Sequence, residues 1–158
     1  MQLILALVLA LQTTADPLLS RFLGEWSGTG TVLSQPSTIA MSWSAELGGQ
    51  FVRLTFRNEM PKSLFEGHAY YRALGDPSTP LRASGRYRGM WFDNSGMMRP
   101  IEATMDGDAL VSKWGTPETE EGETTYRLLA GGRMEVVDRV KSKDGTWRQF
   151  GQSGLMKR

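Results

Sequence analysis

The sequence predicts an all-β protein, a roughly ten-stranded antiparallel up-and-down β-barrel with a short N-terminal helix. Three observations carry this. Beyond Gly24 the helical period disappears, and runs of alternating apolar and polar residues take its place. These runs are separated by tight-turn chemistry at Gly48-Gly49, Asn94-Ser95-Gly96, Asp106-Gly107-Asp108, Gly131-Gly132 and Lys143-Asp144-Gly145, which pairs neighbouring strands antiparallel in sequence order. Such a meander has two open edges, and closing it into a barrel removes both. A barrel of about ten strands is wider than one that side chains just fill, so an internal cavity is expected.

The chain has 158 residues, enough for one domain with a sizeable core. It contains no Cys, which excludes disulfides and thiolate metal sites. With 18 basic and 17 acidic residues the net charge is +1, against a dedicated nucleic-acid binder. Leu3 to Leu11 is an unbroken apolar run, too short for the about 20 residues that span a bilayer. With Thr13-Thr14-Ala15 behind it, residues 1–15 read as a secretory signal peptide, although no Lys or Arg precedes the run. Residues 16–158 then form a single exported domain, periplasmic or extracellular, with no transmembrane segment.

Asp16-Pro17 caps and opens the short helix, Leu18, Leu19, Phe22 and Leu23 give its apolar side, and Gly24 stops it. The predicted strands are Glu25–Leu33, Ile39–Leu47, Gln50–Glu59, Leu64–Ala73, Ala83–Asp93, Met97–Met105, Ala109–Gly115, Glu123–Leu129, Arg133–Lys141 and Thr146–Met156. The longer connections are the loops Gly75–Pro80 and Thr116–Gly122. Ile39, Met41, Trp43, Ala45 and Leu47 share one face of their strand, as do Val52, Leu54 and Phe56, then Gly85, Tyr87, Gly89 and Trp91, then Met134, Val136 and Val140. These faces are predicted inward. Asp138 falls among the inward residues, and its burial calls for an Arg or a Tyr hydroxyl as partner.

Gly24-Glu25-Trp26, at the start of the first strand and directly after the helix, resembles the Gly-x-Trp signature of the calycin superfamily of lipocalins and fatty-acid-binding proteins. The resemblance implies that Trp26 closes the barrel floor against a basic residue of the last strand, Arg148 or Arg158. Gly28 and Gly30 share the Trp26 face and admit a sharp bend and a close approach of chain. Trp43-Ser-Ala-Glu-Leu-Gly-Gly-Gln-Phe-Val, Phe65-Glu-Gly-His, Trp91-Phe-Asp-Asn-Ser-Gly, Asp106-Gly-Asp-Ala-Leu and Asp144-Gly-Thr-Trp, in that order, resemble the nitrobindin-like β-barrels and their bacterial relatives. That family implies haem held by a His on the last strand and turnover of reactive nitrogen species. Here Thr146–Arg158 contains no His, so the cofactor is not carried over with the barrel.

The single His of the chain, His68, shares a polar strand face with Glu66, Tyr70 and Arg72, as an outward residue would. No Gly-x-Ser-x-Gly elbow and no second His support nucleophilic catalysis, and one His without Cys or a convergent carboxylate set is a poor metal site. No catalytic or metal-ligating residue is therefore assigned. Arg82, Arg86, Arg88 and Arg99 fall on two adjacent strands. Facing outward they form a basic patch for lipid headgroups or an acidic partner, and facing inward an Arg would clamp a ligand carboxylate.

The leading expectation is non-catalytic binding of a small apolar or amphipathic molecule within the barrel. Trp43, Leu54, Phe56, Tyr71, Tyr87, Trp91 and Trp114 would line the site, and a Tyr hydroxyl or Trp N–H would orient the ligand. A nitrobindin-type haem enzyme is the alternative. A barrel filled by Trp43, Trp91 and Trp114, working through its outer face, is a third.

Overall fold

A computed structural model describes residues 16–75 and 84–158. The predicted signal segment 1–15, Arg82 and most of the Gly75–Pro80 loop lie outside these residues. The chain forms ten strands: β1 (Gly24–Val32), β2 (Gln35–Glu46), β3 (Phe51–Met60), β4 (Ser63–Ala73), β5 (Arg86–Asp93), β6 (Met98–Asp106), β7 (Ala109–Trp114), β8 (Gly122–Leu129), β9 (Arg133–Lys141) and β10 (Trp147–Lys157). Each pairs antiparallel with its neighbour in sequence, and β1 pairs with β10 to close the barrel. The predicted fold class holds.

Two local readings are corrected. The predicted helix is a single 3₁₀ turn, Leu19–Phe22. Asp16 caps it as expected, its Oδ1 accepting from the Leu18 and Leu19 amides at 3.0 and 3.1 Å. The other correction is the first hairpin. Its turn is Leu33-Ser34, with φ of 50° and 63°, and β2 begins at Gln35, well before the predicted Ile39. A two-residue hairpin turn with positive φ at both central positions is usually announced by Asn or Gly. Here a Leu and a Ser meet it, so no turn signal marks the sequence.

The alternation resolves as predicted for the inward faces of β2, β3, β5 and β9, with two corrections: Ala45, at the end of β2, is exposed, and so is Leu47, which lies in the turn just beyond that strand, where the inward parity no longer holds. On the inner seam of β1, a Cβ on Gly28 would lie 2.0 Å from the Gly154 carbonyl oxygen, and one on Gly30 would lie 2.3 Å from that of Gln152. The glycine-rich first strand is therefore what lets β1 and β10 seal.

One half of the interior is solid. The 3₁₀ turn plugs that end with Leu19 and Phe22, both buried. Phe22 packs on Trp43 at 5.4 Å between ring centroids, and Trp43 meets Tyr71 at 5.7 Å and Tyr126 edge-on at 5.2 Å. Each such pair adds about 0.5–1.5 kcal/mol beyond simple burial. Leu54, Tyr87, Ala103, Leu110, Met134 and Leu155 complete this core. The Tyr87 hydroxyl donates to Asp16 Oδ1 at 2.9 Å, and burial together with that carboxylate keeps the phenol protonated. The outer wall carries exposed ion pairs such as Arg139–Glu123 and Lys141–Glu121, each adding little to stability.

Candidate functional site

The other half of the barrel is open. A cavity of about 400 Å³ begins at a floor of Tyr71, Ser112, Tyr126 and Val136, the layer just beyond Trp43. Its wall is aromatic. Phe56, Phe65 and Trp91 cluster with centroids 6.0 to 6.1 Å apart, and Trp114 stands on β7. Both indoles lie against bare backbone of the next strand. A Cβ on Gly67 would lie 2.1 Å from the Trp91 ring, and one on Gly122 1.9 Å from the Trp114 ring. Two glycines thus let two large rings recline into the wall instead of filling the space.

The indole N–H groups are already engaged. Trp91 Nε1 donates to Asp93 Oδ2 at 2.9 Å, and Trp114 Nε1 donates to Thr124 Oγ1 at 3.2 Å. Burial works against ionisation of Asp93, but bonds from Ser95, Trp91 and Met97 outweigh it and hold its carboxyl below the ordinary range. The Thr124 hydroxyl in turn donates a hydrogen bond to Asp138 Oδ1 at 2.7 Å. The tyrosines are also occupied. Tyr71 and Ser112 hydroxyls lie 3.1 Å apart, and Tyr126 hydrogen-bonds Tyr71. Burial pushes Tyr71 up to about 12 and Tyr126 well above its ordinary value, so both stay neutral.

The cavity's Trp N–H and Tyr hydroxyl groups are thus bonded within the protein, and the polar groups with bonding capacity left at the cavity are Asn58, Asp138 and Arg99. Asn58 is 1 % exposed, and its Oδ1 has no partner. Asp138 carries its carboxyl into the cavity beside Gly151, and burial lifts its pKa to about 6. Its partner is Thr124, not the Arg or Tyr expected. Arg99 lies over Trp114 at 5.1 Å and pairs with Glu120 at 3.3 Å, leaving its buried Nε without a partner.

Of the predicted lining residues, Phe56, Tyr71, Trp91 and Trp114 bound this cavity. Trp43, Leu54 and Tyr87 do not: they share the inward parity but lie in the solid half, because alternation fixes the face of a strand and not the depth along it. Trp26 packs at the plugged end, its Nε1 donating to the Phe22 carbonyl at 2.7 Å. The cation over its ring is Lys157, 5.3 Å from the centroid. Arg148 stands at the opposite end of β10 and lines the cavity, while Arg158 Nε bonds Ser27 Oγ. The floor assignment of Arg148 is thus corrected to the cavity end. The arginine cluster divides: Arg86 and Arg88 are exposed on the outer wall, Arg99 faces in, and Arg82 lies outside the described residues. Asn58 and Phe65 shared the parity of recognised inward residues, so a signal for both was present in the alternation.

His68 is exposed on the outer face of β4, 3.4 Å from Thr55 Oγ1. Among the described residues no group of His, Cys, Asp or Glu could hold a metal ion, and no helix is long and apolar enough to cross a membrane. A broader groove of about 770 Å³ runs along β10 past Thr31, Gln152, Gly154 and Met156, but it is shallow and its side chains are already solvated.

No protein-family model and no curated protein matches the chain. Solved structures do. Rv2717c from M. tuberculosis matches over 91% of this chain and 99% of its own, with a TM-score of 0.65 at 15% identity. The S-type phycobiliprotein lyase CPES from Guillardia theta matches over 89% of each chain, with a TM-score of 0.59 at 9% identity. The likeness is one of fold, and it agrees with the calycin-like barrel that Gly24-Glu25-Trp26 suggested.

Proposed function

We propose that this protein is a non-catalytic carrier or receptor for a small amphipathic molecule, held in the open half of the barrel. The observation that carries the reading is a cavity of about 400 Å³ in which buried polar atoms, Asn58 Oδ1 and Arg99 Nε, lack partners among the described residues. An unpaired buried polar group costs about 1–3 kcal/mol, and a ligand that pairs it recovers that cost. Burial of the ligand body against Phe56, Phe65, Trp91 and Trp114 supplies affinity, and the polar groups supply orientation.

The haem alternative does not fit the residues present. The one His faces out from β4, and the aromatic wall presents no imidazole. A barrel filled throughout loses its premise, since Trp91 and Trp114 lean into the wall and leave space between them. Export through residues 1–15 belongs to the same proposal, and it predicts a mature chain beginning at Asp16.

Native mass spectrometry of the protein from its exported compartment tests both parts. A mass matching residues 16–158 plus a discrete adduct is the expected result. A bare mass that persists after incubation with fatty acids and haem overturns the carrier reading, and an adduct of haem mass overturns its ligand class. A mass that includes residues 1–15 overturns export.

A further inference from the structure

The carboxyl of Asp138 faces the cavity with one internal hydrogen bond among the described residues, from Thr124 to Oδ1. An ionised carboxylate can accept about four hydrogen bonds. Its second oxygen packs close to Gly151, where a Cβ would lie only 2.7 Å away, so that position supplies no side-chain donor. Among the described residues no cation pairs with it. Arg99 is committed to Glu120 and to the Trp114 ring, and Arg148 is solvent-exposed. The groups around the carboxyl are Thr124 and Tyr126 from β8, Gly151 and Arg148 from β10, and Tyr71, Arg99 and Glu120 across the cavity. Asn58 adds a second unpartnered acceptor. The faces of Phe56, Trp91 and Trp114 are electron-rich and favour positive charge.

We infer that the ligand is a flat, apolar-bodied amine whose protonated nitrogen docks on Asp138, with its rings between Trp91 and Trp114. This deepens the carrier reading and rests on it. The ammonium supplies the donors that Asp138 and Asn58 lack, and the carboxylate supplies the counter-charge that burial of a cation requires. Arg99 Nε remains available to an acceptor atom elsewhere on the ligand. A free carboxylate would meet Asp138 as a like charge, so acids are disfavoured at this depth.

Three probes of one size separate the possibilities: 1-(aminomethyl)naphthalene, naphthalene and 1-naphthoate, each titrated calorimetrically into the full chain. The amine is expected to bind about tenfold or more tighter than the other two, the advantage of a charge-assisted hydrogen bond. The amine stays protonated from about pH 5 to 8, while Asp138, at about 6, ionises across that range. Its affinity is therefore expected to rise about tenfold between pH 5 and 7.5. In Asp138→Asn, which keeps an acceptor for Thr124, both the preference and the pH dependence should vanish while naphthalene binding is retained. Naphthalene or naphthoate binding as tightly as the amine overturns the inference and leaves the carrier reading intact. Amine binding that is insensitive to pH and to Asp138→Asn does the same. Failure of all three probes overturns both.

Discussion

The Asp138 carboxyl has a measurable consequence for stability. Burial raises its pKa from 3.8 to about 6. Between these values the folded protein holds a proton that the unfolded chain has released, so stability falls as pH rises from about 4 through 6. Asp138→Asn removes that titration. We expect the variant to melt above the parent protein at pH 7.5 and to converge with it near pH 4, followed by circular dichroism. A parent–variant difference that does not change with pH would refute this. Phe22, at the other end of the barrel, is wholly buried against Trp43. Phe22→Ala should cost about 3–5 kcal/mol in chemical denaturation while leaving the cavity residues in place. Trp43→Phe should likewise reduce stability without changing ligand affinity, since Trp43 lies beneath the cavity floor. Loss of binding in folded Trp43→Phe would return Trp43 to the site.

At the scale of the element, the strands decide how much space remains. Gly67 on β4 and Gly122 on β8 sit directly under the Trp91 and Trp114 rings. Gly122→Ala places a methyl where the Trp114 ring now lies and drives the indole into the cavity. We expect a loss of about 1–3 kcal/mol in stability and a large drop in ligand affinity, read by denaturation and calorimetry. Unchanged affinity would show that the ligand lies elsewhere. This pairing explains what was legible in the sequence. Period-two alternation gives the inward faces of β3, β4 and β5, and with them Phe56, Tyr71 and Trp91. It could not rank positions along the barrel axis, so Leu54 and Tyr87 were grouped with them. Nor could it reveal that a Gly on one strand and a Trp on the next form a unit, because that depends on register. The Leu33-Ser34 turn escaped for a different reason: its positive φ values are set by the strands it joins and not by residues that favour them.

For the whole molecule, the plugged half and the hollow half should differ in protection. Amide exchange is expected to be slowest around Trp43, Leu54 and Leu110, and faster around Phe65, Trp91 and Arg99, with ligand slowing the second group alone. Uniform protection before and after ligand would count against a two-part barrel. The β1–β10 seam bears on a separate property. Every other ladder joins neighbours in sequence, and only this one joins the two ends of the barrel chain, with the Arg158 amide donating to the Glu25 carbonyl at 2.9 Å. A ring built from successive hairpins has no privileged opening. Linking the ends across the seam and cutting at the Asp144-Gly145 turn would give a circular permutant with the same ladders. It would make a tight hairpin of the present long-range closure and leave the β9–β10 ladder to close the ring between the two ends of the chain. The position of the termini is then an accident of numbering, and the barrel should fold from a chain that starts at β10.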